Sequence, residues 1–70
     1  MGYELWETQT GNLVASFSHE RDALTLVQDA MREHGQDYAM TLALLREDEA
    51  GHITAVAQAG KLIERAQASA

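Results

Sequence analysis

Residues 3–17 read YELWETQTGNLVASF, two runs rich in aromatic, aliphatic and β-branched side chains around Gln9, Thr10 and Gly11. Runs of that composition on either side of a short polar, glycine-containing segment read as a β-hairpin. A three-residue loop suits Gln9-Thr10-Gly11, because glycine accepts the positive φ that such a loop places at its last position. That loop pairs Thr8 with Asn12 and Leu5 with Ala15. The two-residue period of a strand then puts Tyr3, Leu5, Leu13, Ala15 and Phe17 on one face and Glu4, Trp6, Val14 and Ser16 on the other. A two-residue Thr10-Gly11 turn slips the register by one and mixes Leu5 with Ser16, so the segregation favours the longer loop.

Outward from the hairpin, Ser18 is a good N-cap, and Glu20 and Asp22 follow where they meet the positive end of a helix dipole. The spacing predicts a helix over 18–34 that stops at Gly35. Ala23, Leu24, Leu26, Val27, Ala30, Met31 and His34 fall within an arc of about 160°, an apolar stripe matched to the Tyr3, Leu5, Phe17 side of the hairpin. Segment 38–45 is helical by propensity, since alanine, methionine and leucine dominate it. Its shortness, the turn-like EDEAG of 47–51 and the β-branched run that follows favour a strand, and a second hairpin is expected over 38–57. With Arg46 opposite His52, that hairpin has Met40, Leu42, Leu44 and Val56 on one face. Ala43, Leu45, Ile53 and Ala55 share the other. A short helix is expected over 59–68, from the helical spacing of Ala59, Leu62, Ile63 and Ala66.

These pieces compose a single α+β domain over 1–70 of ββαββα order, a four-stranded antiparallel sheet with the long helix on one face and a short C-terminal helix. Its second face carries Trp6, Val14, Ala43, Leu45, Ile53 and Ala55. Contiguous apolar patches beyond a few hundred Å² on a monomer mark interfaces, so either the C-terminal helix covers this face or a second subunit does. The expected function is a non-catalytic module that self-associates through this face or through an open edge strand. Trp6 is read both ways: as part of a small second core under that helix, or as the anchor of a homodimer interface, where aromatic residues dominate the energetics.

Composition narrows the function. The chain has 70 residues, 11 acidic against 5 basic side chains, a formal charge of −6 and no cysteine. A domain this small buries only about 60% of its unfolded surface, which makes oligomerisation a natural reinforcement. Disulfides, thiolate zinc sites and thiol catalysis are excluded. The acidity repels phosphate backbones, so no nucleic acid is expected as a partner. No apolar run approaches the roughly 20 residues of a membrane span, and the first residues lack a signal peptide's basic and apolar regions. No membrane association and a cytoplasmic location are expected.

His19, His34 and His52 invite a metal reading, but His19 and His34 lie near the two ends of one helix, about 22 Å apart at 1.5 Å per residue. The loop Glu47, Asp48, Glu49 with Gly51 lacks the ligand order of a calcium site. No metal, no cofactor and no catalytic residue is expected, since no nucleophile elbow, phosphate-cradling glycine loop or buried carboxylate pair is present. Two other functions were weighed. Asp22, Asp29, Glu33, Glu47, Asp48 and Glu49 form a possible acidic docking face for a basic protein. A small-ligand pocket between helix and sheet is the weaker idea, because Leu24, Val27, Met31 and Phe17 leave little volume there.

YELWET, GNLVASF and LALLREDEAGHITAVAQAG, with the acidic helix between them, resemble a family of short bacterial ββαββα proteins, a domain of unknown function. The resemblance spans nearly the whole chain, and its motifs are structural: the Tyr-x-Leu-Trp strand, the Gly-Asn turn and the Leu-Leu-Arg-Glu-Asp loop entry. It implies a bacterial origin and no catalytic residues. The opening strand-strand-helix-strand order is also similar to antitoxins of the HicB type, in topology only, because no DNA-binding segment follows the sheet.

Overall fold

The computed structural model describes residues 2–69. The chain runs β1 (Gly2–Glu7), β2 (Asn12–Phe17), α1 (Glu20–His34), α2 (Gln36–Ala39), β3 (Leu42–Glu47), β4 (Ile53–Gln58) and α3 (Ala59–Ala68). The strands form one antiparallel sheet in the order β2-β1-β3-β4, so β1 and β3 join the two hairpins at the centre. This is the expected α+β arrangement with one extra short helix.

Both helices of any length pack on the same side of the sheet. Leu5 of β1, Leu42 and Leu44 of β3, Leu24 and Val27 of α1 and Leu62 of α3 meet in one core. Full burial of side chains of this size contributes about 1.5–3 kcal/mol each. Two long-range contacts tie α3 to α1. Gln28 Nε2 donates to the Ala66 carbonyl at 2.7 Å, and the Arg65 guanidinium grips the Glu20 carboxylate through bonds of 2.9–3.2 Å. The C-terminal helix therefore adds to the first core and leaves the Trp6 face open.

The first hairpin departs from the expected register. Tyr3 pairs with Phe17 and Leu5 with Ala15, as a three-residue loop requires, but Trp6 then pairs with Leu13 and Glu7 with Asn12. The loop is Thr8 to Gly11, one residue longer at its start, and a bulge at Val14 absorbs the difference. Thr8 continues the β1–β3 register past Glu7, its amide and hydroxyl both donating to the Thr41 carbonyl at 2.8 Å. The Glu7 carboxylate fills the gap, accepting the Gln9 amide at 2.7 Å, the Thr10 amide at 2.9 Å and the Thr10 hydroxyl. Gly11 has the positive φ anticipated for it, 73°.

Three other expectations need correction. Ser18 is not the N-cap: α1 begins at Glu20 with His19 in the capping position and no side-chain cap bond. Pairing of Phe17 with Tyr3 keeps β2 extended to the end, and Ser18 falls in the bend beyond it. Segment 38–41 is not strand. Tyr38 and Ala39 belong to α2, where Ala39 is fully buried and the Tyr38 ring stacks at a tilt on His34, centroids 5.2 Å apart. Met40 is consequently exposed outside the sheet rather than aligned with Leu42 and Leu44. In the second hairpin Arg46 faces Thr54 and Glu47 faces Ile53, not Arg46 facing His52. Asp48 sets the loop, which spans 48–52 where 47–51 was expected, its Oδ1 accepting the Ala50 and His52 amides, each at 2.9 Å. The offset is an even number of residues, so Leu45, Ile53 and Ala55 still share a face.

Candidate functional site

The register lays out the open face of the sheet row by row. Trp6 lies between Leu13 on β2 and Ala43 on β3, and Ala43 neighbours Gln58 on β4. The next row is Ser16, Glu4, Leu45 and Ala55. The last is Gly2, Glu47 and Ile53. Paired residues point to the same side of a sheet, so the apolar members Trp6, Leu13, Ala43, Leu45, Ile53 and Ala55 are contiguous. Ile53 is 58% exposed and Leu13 46%. Ala43 is only 6% exposed although no helix covers it, because bulkier neighbours stand around it. The Trp6 indole is half-buried and donates to Glu4 Oε1 at 3.2 Å, which satisfies its one polar group within the chain.

Five of the six side chains expected on this face are there, and Val14 is not. The bulge turns Val14 to the helix side, where it lines a cavity of about 130 Å³ with Leu5, Leu26, Tyr38 and Leu42. Leu13 takes its place beside Trp6. An alternation rule applied to NLVASF cannot find Leu13, since it assumes an unbroken ladder and β2 carries a bulge at Val14. That cavity is also the only space of note between α1 and the middle of the sheet among the described residues, and it is too small for most metabolites.

The acidic side chains are not gathered. Asp29 and Glu33 border the Val14 cavity towards the C-terminal end of α1, whereas Asp48 borders a cavity at the other end with Glu20. Asp29 is paired with Arg32 at 3.2 Å, Asp22 approaches Arg21 at 4.0 Å, and Asp48 is committed to its own loop. His19 caps α1, His34 ends it and His52 sits in the β3–β4 loop, 3.4 Å from Asp48. Among the described residues no three His, Asp or Glu side chains converge on a point where a metal could sit. No helix among them is long and apolar enough to cross a membrane.

Among the described residues, Glu7 is the one titratable group with a displaced pKa. The Thr10 hydroxyl, followed by the Gln9 amide, holds its carboxyl below the usual glutamate range, because both donate to the ionised form. Its role is structural, at the loop of the first hairpin. No protein-family model, curated protein or solved structure matches the chain.

Proposed function

We propose that this protein is a non-catalytic interaction module that forms a homodimer by packing the open sheet face of one copy on that of another. The observation that carries the reading is the continuous apolar surface of Trp6, Leu13, Leu45 and Ile53 on the side that α1 and α3 both leave bare. Packing one sheet face on another about 10 Å away is the ordinary way of burying such a surface, and an isologous contact uses the same patch twice.

The two carboxylates on the face choose between orientations. A two-fold axis along the strands exchanges β1 with β3, setting Glu4 over the partner's Leu45 and Glu47 over the partner's Gly2. An axis across the strands sets Glu4 on its own copy, which costs like-charge repulsion in a drying interface. The strand-parallel axis is the favoured one. Four strands about 4.8 Å apart and about 20 Å long offer roughly 400 Å² per copy, against about 800 Å² in a standard interface. Affinity in the micromolar range is expected.

Sedimentation equilibrium tests the reading. Wild type should be dimeric at tens of micromolar, and Trp6→Ala and Ile53→Asp should be monomeric and folded at the same concentration. A wild type that stays monomeric at high micromolar concentration sinks the proposal.

A further inference from the structure

We infer that the opposite side of the molecule holds a binding site for a small carboxylate, built around Arg46 where the two helices end. Three observations lead there. The first is a conflict with the local pattern. β3 is an interior strand, and its helix-facing side chains are Leu42, Leu44 and then Arg46. A guanidinium stands where the alternation asks for a third core residue, and such departures concentrate at functional positions.

The second is the company it keeps. Arg46 is paired across the sheet with Tyr3 on one side and Thr54 on the other. With Arg65, Glu20, Asp48 and Val56 these residues line a cavity of about 420 Å³, inside the volume range of small-molecule sites. A bulge in β4 between Ala55 and Ala57 turns the extra residue, Val56, into the wall.

The third is the charge balance within the cavity. Both carboxylates are already engaged: Glu20 by the Arg65 guanidinium at 2.9–3.2 Å, and Asp48 by the Ala50 and His52 amides at 2.9 Å. Arg65 is used by the same pair. Arg46 lies within 4.0 Å of no carboxylate among the described residues. The two carboxylates and two guanidiniums of the cavity sum to zero charge, but Arg46, which is exposed, is the one of the four without an ionic or hydrogen-bond partner among the described residues. Its cross-strand neighbours Tyr3 and Thr54 bring hydroxyls to the same cavity.

A guanidinium fork matches the two oxygens of a carboxylate and binds them bidentately. The Tyr3 ring and Val56 offer apolar wall for the body that carries it. Glu20 and Asp48 also line the space, and they penalise a second negative charge on the ligand. The site therefore selects a monoanionic carboxylate on a compact apolar body over a phosphate dianion.

The experiment is a titration of the full chain with sodium benzoate and, separately, inorganic phosphate at constant ionic strength, followed by backbone amide shifts. Saturable benzoate shifts are expected at Tyr3, Arg46, Thr54 and Val56, with phosphate at least tenfold weaker. Arg46→Gln should weaken benzoate at least tenfold with an unchanged Tm, and Arg46→Lys should not restore it. Thr54→Val, which keeps the charge and the shape, should weaken it by a smaller factor. Benzoate shifts that stay linear, equal affinity in Arg46→Gln, or phosphate binding as tightly as benzoate would each overturn the assignment.

Discussion

Thr8 donates both its backbone amide and its hydroxyl to the carbonyl oxygen of Thr41, each at 2.8 Å, and this bond joins the first hairpin to the segment entering β3. It continues the β1–β3 register one residue past Glu7, while on the other side of β1 the β2 strand carries a bulge at Val14. The side chains at 13 and 14 exchange faces as a result.

That exchange makes opposite predictions for two adjacent residues. Leu13→Ser should weaken self-association and leave Tm nearly unchanged. Val14→Ser should cost at most about 1 kcal/mol of stability, since Val14 borders the helix-side cavity but is itself 39% exposed, and should leave the association constant alone. Thermal melts and sedimentation of the two variants decide it, and the reverse assignment of effects would restore a ladder without the bulge.

The Glu7 loop should respond to acid. The Thr10 hydroxyl and Gln9 amide lower the folded-state pKa of Glu7 below its unfolded value. Its stabilising contribution is therefore complete above the unfolded pKa and is lost as pH falls through the folded one. The Gln9 and Thr10 amide resonances should titrate with a midpoint below the ordinary glutamate range, and in Glu7→Gln that titration should vanish.

Ala59, at the junction of β4 and α3, has φ of 52°. A residue with a Cβ pays about 1–2 kcal/mol for that left-handed conformation, and glycine does not. Ala59→Gly should raise stability by about 1 kcal/mol, read as a higher denaturant midpoint at constant m-value.

Leu44 is fully buried at the centre of the only large core among the described residues. Leu44→Ala should cost about 2–5 kcal/mol, most of what a domain of this size has to spare. Circular dichroism at room temperature should show it largely unfolded, whereas Leu45→Ala, on the open face, should remain folded.

Much of the fold was legible because it rests on local chemistry. The apolar stripe from Ala23 to His34, the stop at Gly35, the positive φ of Gly11 and the helical spacing of Leu62, Ile63 and Ala66 all depend on neighbours a few residues away. The open face was nearly complete for a related reason: the register error over Leu45, Ile53 and Ala55 is an even number of residues and leaves those three on their side. Arg46 was visible as a residue, but its isolation from carboxylates was not, because Glu20 is occupied by Arg65, which only folding brings near.

The amino-acid order alone determined a ββαββα protein with a two-sided sheet, one side matched to an amphipathic helix and one side apolar without a match. The tertiary structure decided where α3 goes, and it joins α1 because Leu62 and Ala66 complete the core around Leu5, Leu24 and Val27. It also decided that Leu13 rather than Val14 stands beside Trp6. A strand's period sets the direction of each side chain only while the ladder is unbroken, and the bulge between Leu13 and Ala15 breaks it.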